Sequence, residues 1–96
     1  MVDESKISER MALANRAKSL REDELLNFVF DKLEKNETEA MLRSASRDER
    51  ELNFWAVQGI RKVREALRII FDDGKVAGVE LADFERQQVQ AQRRRA

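Results

Sequence analysis

The most regular pattern of apolar positions in the chain lies between residues 46 and 75. At about 100° per residue, one arc of about 160° collects the small and apolar side chains Leu52, Trp55, Ala56, Gly59, Ile60, Val63, Ala66, Leu67, Ile70 and Phe71, with Asn53 at its edge. An ordinary surface helix has an apolar stripe a little wider than about 100°. The pattern therefore predicts a central helix that contacts two neighbours and buries Trp55.

Both ends of this helix have sequence signals. Ser46 followed by Glu49 matches a capping box, in which the hydroxyl accepts from the amide of residue 49 and the carboxylate accepts from the amide of residue 46. At the other end, Gly74 can adopt the left-handed conformation that follows many helix C-termini. We therefore expect the helix to begin at Ser46 and to end near Gly74.

Shorter amphipathic segments flank the central helix. One runs from Lys6 to Lys18, and Ser19 with Glu22 gives a second capping-box match, which indicates either a new helix near Leu20 or a bend. The next segment extends to Arg43, and one arc of it holds Leu25, Leu26, Val29, Phe30, Leu33, Ala40 and Met41. A weaker helix is expected after Gly74. Residues 1–5 are expected to be frayed, and residues 90–96 form a polar, basic tail.

The order of these segments predicts an all-α fold. The short turn at residues 44–46 should make the helices on either side of it antiparallel neighbours. We therefore expect an antiparallel helical hairpin of long charged helices, with shorter N- and C-terminal helices beside it. Either these terminal helices complete the fold within one chain, or several chains form an oligomeric bundle.

Composition limits the chemistry open to the chain. Its 96 residues indicate one domain, residues 1–96, with a modest core. The 19 basic residues balance the 19 acidic residues, so there is no global field that attracts nucleic acid or membrane. Because His and Cys are absent, imidazole acid–base catalysis, thiolate chemistry and ordinary zinc or haem ligation are excluded. We expect a soluble non-enzyme with no catalytic residue, cofactor, metal site or membrane span.

Aromatic and aliphatic side chains outside the main arcs form the first candidate site. Phe28 and Leu42 point away from the stripe of their own helix, and Phe54 and Trp55 form an adjacent pair in the central helix. If the hairpin buries only one face, these four residues form a protein-interaction surface. Alternatively, the N- and C-terminal helices cover them within one chain.

Arginines form the second candidate site. Arg61, Arg64 and Arg68, preceded by Arg50, lie on the side of the central helix opposite its apolar arc, and Arg93, Arg94 and Arg95 end the chain's polar tail. Such rows can contact phosphates. The alternatives are a solvated helix face, since Glu65 interrupts the row, and favourable cations at a helix C-terminus.

Part of the chain resembles small all-helical proteins from the packaging and virion-assembly genes of tailed bacteriophages and prophages. The resemblance covers residues 20–77. It is carried by Leu25-Leu26, Val29-Phe30-Asp31, Leu33, Arg50-Glu51-Leu52, Trp55, Val57-Gln58, Ile60, Val63-Arg64, Leu67 and Asp73-Gly74-Lys75-Val76-Ala77. It implies a non-enzymatic interaction role in the host cytoplasm or the virion, and it assigns no functional residue.

Two classes of function follow from these observations. The first is a helical assembly protein that associates with itself or docks on a phage or host protein, which includes a small inhibitor of a host protein. The second is a nucleic-acid-binding assembly factor, similar in role to a small packaging subunit, that uses the arginine-rich surfaces. The turn at 44–46 joins helices that are too long and too charged for a compact helix-turn-helix, which favours the first class.

Overall fold

The protein is all-helical in the computed structural model, which describes residues 3–95. Three α-helices account for nearly all of this range: α1 is Glu4–Arg21, α2 is Glu24–Arg43 and α3 is Arg47–Arg95. No strand occurs among these residues. The contacts divide the chain into two compact units. The "α1 unit" combines α1 up to Lys18 with α3 from Ile69 onward, and the "α2 unit" runs from Ser19 to Arg68.

Helix starts in the structure follow short polar side chains that accept from the first free amides. The Asp3 carboxylate accepts from the backbone N–H of Ser5 at 3.0 Å, so helical structure already begins inside the segment expected to be frayed. The remainder of that segment, residues 1 and 2, lies outside the described residues. Because such acceptors satisfy otherwise unpaired amides, they fix the first turn of a helix.

Of the two alternatives given for the Ser19–Glu22 match, a new helix does begin nearby, but at Glu24 rather than near Leu20. Ser19 lies inside α1, and the N-cap of α2 is Asp23, whose Oδ1 accepts from the Leu26 N–H at 2.7 Å. The side chain of Asn27 reaches back and donates to the Arg21 carbonyl at 2.7 Å. One short segment therefore caps the end of α1 and the start of α2.

The predicted start of α3 at Ser46 is confirmed, with a different set of partners. The Glu49 N–H donates to the Ser46 hydroxyl at 3.3 Å, which is one half of a capping box. The other half is replaced, because the Glu49 carboxylate accepts from the Ser44 hydroxyl at 2.9 Å and the Ser46 N–H donates to the same hydroxyl at 3.3 Å. The Ser44 hydroxyl therefore bridges the Ser46 amide and the Glu49 carboxylate, which were predicted to bond directly.

The predicted helix end at Gly74 was wrong, because α3 continues through it to Arg95. No residue in the described range has a positive φ, so Gly74 does not adopt the conformation of a helix C-cap. The expected separate C-terminal helix and polar tail are therefore the last part of α3; only residue 96 of that tail lies outside the described residues.

The α1 unit contains most of the buried side chains. Ile7, Ala14 and Ala17 are buried on α1, and Ala77 is fully buried on α3. A Cβ placed on Gly74 would overlap with the Cβ of Ala14. The glycine therefore permits a close approach of the two backbones at this point.

Arg10 adds a charged contact beside this small-residue core. Its Nε and Nη2 donate to the two carboxylate oxygens of Asp73 at 2.9 and 2.8 Å, and its Nη1 donates to Glu80 at 2.8 Å. Hydrogen bonding to Asp73 raises the pKa of Arg10, and the same bonds lower the pKa of Asp73. This contact joins positions of α3 that lie before and after Gly74.

Candidate interaction surface

The α2 unit buries very little of its apolar surface. Val57 is the buried hydrophobic residue recorded within it, and α2 contributes none. Most of the large apolar side chains that the described residues expose belong to this unit: Leu20, Leu25, Phe28, Val29, Leu33, Leu42, Leu52, Phe54, Trp55 and Val63. An exposed set of this size is the usual mark of an interaction surface.

The four side chains predicted to form an interaction surface are all exposed. The exposed fraction is 59% for Phe28, 77% for Leu42, 44% for Phe54 and 63% for Trp55. The prediction that Trp55 is buried in the core was therefore wrong. Trp55 instead packs edge-to-face on Phe54, with ring centroids 5.3 Å apart, a favourable aromatic arrangement.

These four residues do not form one continuous patch. Phe28 and Leu42 share the outer side of α2, but the 14 positions between them correspond to about 21 Å along the helix. The ammonium group of Lys32 lies 5.8 Å from the Phe28 ring centroid and so covers part of it. Phe54 and Trp55 lie together on α3.

The apolar arcs predicted for both helices are only half covered. On α3, the side that contacts α2 carries Val57, Ile60, Arg64 and Leu67, whereas Val63 from the middle of the predicted arc is exposed. On α2, Leu26, Phe30 and Met41 are half-buried, and the exposed members of its predicted arc are Leu25, Val29 and Leu33. The sequence already indicated that α2 alone would not cover the apolar arc of α3, because that arc is wider than the stripe that one neighbouring helix covers.

The prediction that Arg64 lies opposite the apolar arc was wrong. Its side chain is only 32% exposed, and Nη2 donates to the Asn27 carbonyl at 3.2 Å and to Asp31 at 2.7 Å. The guanidinium carbon lies 5.0 Å from the centroid of the Phe30 ring. Because a guanidinium can pair with a carboxylate while stacking on an aromatic face, Arg64 is part of the α2–α3 contact.

The neighbouring arginines also have partners within the chain. The Nε of Arg61 lies 3.4 Å from Glu34 on α2. Arg68 donates through Nε to Glu65 at 3.0 Å, and this hydrogen bond lowers the pKa of Glu65. Arg50 donates to the Ser44 carbonyl at 3.0 Å. The central arginine row is therefore used mainly within the chain.

A groove in the α2 unit brings several of these charges together. Its charged lining residues are Arg21, Arg61, Arg64, Arg68, Glu34 and Glu65. Since both signs of charge line the groove, its field does not select strongly for an anion.

The C-terminal arginines have a different setting. Arg93, Arg94 and Arg95 are exposed in the last turn of α3, where cations interact favourably with the helix dipole. Arg86, about two turns earlier in α3, pairs with Asp83 at 2.7 Å. Among the other predicted nucleic-acid contacts, Arg61 and Arg68 are also exposed, but they pair with Glu34 and Glu65.

Possible metal sites, membrane-spanning segments and similarity to known proteins also bear on function. Within residues 3–95, no group of three or more acidic side chains is placed to hold a metal ion. None of the helices described for this range has a stretch that is long and apolar enough to cross a membrane. Comparisons with protein families, with curated proteins and with solved structures find no match to this chain.

Proposed function

We propose that the chain is a non-enzymatic helical assembly protein that associates with further copies of itself. In this proposal α2 and the first part of α3 act as an antiparallel helical hairpin, and several hairpins form an oligomeric bundle. The contacts that support the hairpin run in opposite directions along the two helices, since Asp31 pairs with Arg64 and Glu34 pairs with Arg61.

The observation that carries this proposal is the small core of the α2 unit. Val57 is buried there, while Leu25, Leu52 and Trp55 are each more than 60% exposed. Burying apolar surface contributes about 25 cal/mol per Å², so association that covers these side chains is favoured. The absence of His and Cys from the sequence supports a role without catalysis.

Nucleic-acid binding is the second candidate, and the exposed run Arg93, Arg94 and Arg95 favours it. Against it, Arg61, Arg64 and Arg68 already pair with carboxylates, and such pairs would have to break before phosphates could bind. Docking on a phage or host protein, inhibition of a host protein, the resemblance to phage assembly proteins and a location in the host cytoplasm or virion stay predictions.

The molar mass in solution tests the first proposal against the second. We expect a mass that is a multiple of 11.2 kDa and is unchanged between about 50 and about 200 mM salt, with or without duplex DNA. Binding through several phosphates would instead weaken by about 10³-fold or more over this range. A monomer at every concentration tested would reject self-association. A mass that rises only with DNA at low salt would favour the second candidate.

A further inference from the structure

We propose that α2 is a releasable cover on α3. In this proposal α2 detaches from α3 and unfolds while the α1 unit stays folded, and its release exposes the side of α3 that it covers. The covered side carries Val57, Ile60, Arg64 and Leu67. The inference concerns contacts within one chain, so it does not depend on the self-association proposed above.

α2 is held in place by less burial than α1. Ile7, Ala14 and Ala17 are buried on α1, whereas none of the 20 residues described for α2 is buried, although α2 is the longer of the two helices. On α2, Leu26 and Phe30 are only half-buried. Segments with few buried apolar contacts open at the lowest cost in free energy. The distribution of burial therefore identifies α2 as the helix that opens first.

Ion pairs form part of the contact between α2 and α3. Asp31 lies 2.7 Å from the Nη2 of Arg64. Glu34 lies 3.4 Å from the Nε of Arg61 and 3.9 Å from the Nη1 of Arg64. Asp31 and Arg61 are exposed, and exposed ion pairs add little to stability because water screens their attraction. These pairs align α2 on α3 without holding it tightly.

The Nε of Arg64 makes the covered state less favourable. This nitrogen is buried and has no hydrogen-bond partner among the described residues, whereas the Nη2 of the same side chain donates to Asp31 and to the Asn27 carbonyl. A buried donor without an acceptor loses its hydration and gains no bond in return. Release of α2 returns this nitrogen to water and so removes an unfavourable contribution.

The connections at the two ends of α2 determine how it can leave α3. Residues 22–23 join it to α1 and residues 44–46 join it to α3. Leu20 and Arg21, at the end of α1, line one groove together with Leu67 of α3, so both ends of α2 stay beside α3. A rigid helix of 20 residues cannot swing away under this restraint. The same segment spans about 30 Å as a helix but up to about 66 Å as an extended chain, so release requires that α2 lose its helical structure.

Release changes the surface that α3 presents. Val57, Ile60 and Leu67 would join the exposed Leu52 and Val63 in one broad apolar arc. An arc wider than about 100° offers surface to more than one neighbour. α2 therefore controls access to this side of α3, and a change in the balance between the covered and the released state changes how much of the arc is available.

Amide hydrogen exchange of the unmodified chain tests the release directly. At one fixed protein concentration, we expect the amides of Phe30 and Leu33 in α2 to exchange at least about 100-fold faster than those of Ala14 and Ala17 in α1, after correction for intrinsic rates, because local opening costs less than global unfolding. NMR would measure these rates. Equal protection of both helices would overturn the proposal, since the chain would then open only as a whole.

Removal of the carboxylates that face α3 should favour release. We expect Asp31→Asn and Glu34→Gln each to speed exchange at Phe30 at least about threefold, because each weakens the pairing of an arginine of α3 with α2, while the α1 amides keep their rates. Glu39→Gln is the matched control, since Glu39 pairs with Lys35 of the same helix, and it should change exchange by less than about twofold. Equal acceleration of α1 and α2, or no acceleration of α2 by the first two variants, would overturn the proposal.

Thiol labelling tests whether the covered side of α3 becomes accessible. The chain has no cysteine, so Val57→Cys places a single thiol at a buried position of that side, and Ala17→Cys places one in the core of the α1 unit. Each cysteine variant is compared with and without Asp31→Asn, so any effect of the cysteine itself cancels. Asp31→Asn should speed labelling at residue 57 by the same factor as exchange in α2 and leave labelling at residue 17 unchanged. Labelling at residue 57 that does not follow exchange in α2 would overturn the release, because α2 would then open without uncovering α3.

Discussion

Gly74 lies where the two helices of the α1 unit approach closely. Because a Cβ at this position would overlap with the Cβ of Ala14, we expect Gly74→Ala to force the helices apart. Overpacking of this kind costs about 1–3 kcal/mol, partly offset by a gain of up to about 1 kcal/mol in helix propensity. Urea unfolding followed by circular dichroism would measure the net loss of stability.

Gly78 is the matched control for Gly74. It lies on the same helix, and a Cβ there would meet no atom within 4 Å. Gly78→Ala should therefore stabilise the protein by up to about 1 kcal/mol, the gain in helix propensity alone. Equal effects of the two substitutions would mean that the contact with Ala14 does not restrict residue 74.

The hydrogen bonds of Arg10 make the stability of the α1 unit depend on pH. They lower the pKa of Asp73, so their contribution is complete above the ordinary pKa of an aspartate, about 3.9, and is lost as pH falls through the lowered pKa. We expect Arg10→Met to be less stable than the wild type at pH 6 and the difference to shrink under more acidic conditions. Unfolding curves across this range would measure it.

Arg16→Met is the control for this pH dependence, since Arg16 is an exposed arginine of the same helix. Its difference in stability from the wild type should stay small and nearly constant with pH. If the Arg10→Met difference were also constant, the contact with Asp73 would not be linked to protonation.

At the scale of elements, Asp23 defines where α2 begins. Its carboxylate accepts from the Leu26 N–H, and the loss of such a cap costs about 0.5–2 kcal/mol. We expect this loss for Asp23→Ala, measured by urea unfolding, and recovery of most of it for Asp23→Asn, which keeps an oxygen acceptor. A loss of similar size in both variants would indicate that the charge of Asp23, rather than its cap, stabilises the helix.

Local patterns identify the three regions of helix but not every boundary. Ser46 with Glu49 marked a real start because both residues act within one turn, whereas Ser19 with Glu22 has the same spacing and lies inside a helix end. The two sites differ in that Asp23 offers a stronger acceptor four residues later. The continuity of α3 through Gly74 depends on Ala14 and Arg10, about 60 residues away in sequence, so no local pattern could indicate it.

At the scale of the whole molecule, the sequence shows how much apolar surface each helix has, but not which part is covered. The apolar arcs on α2 and α3 are wider than the contact between the two helices. In addition, Arg64 lies in that contact at a position where the apolar periodicity predicts an apolar residue. Its guanidinium lies over the Phe30 ring while its charge is paired with Asp31. Which apolar residues of α2 and α3 stay exposed can therefore be stated only once the side of each helix that contacts the other is known.

The two units should respond differently to protein concentration if, as proposed, further copies cover the exposed apolar side chains of the α2 unit. Association stabilises whatever it covers by mass action, so amide hydrogen exchange in α2 should slow as concentration rises. The α1 amides of Ala14 and Ala17, which lie beside a core that is already buried, should change little. Raising the protein concentration about 100-fold changes the stabilisation by up to about 2.7 kcal/mol. Amide exchange measured by NMR or mass spectrometry at the two concentrations would detect this change. Uniform slowing of both units, or of neither, would contradict a contact confined to the α2 unit.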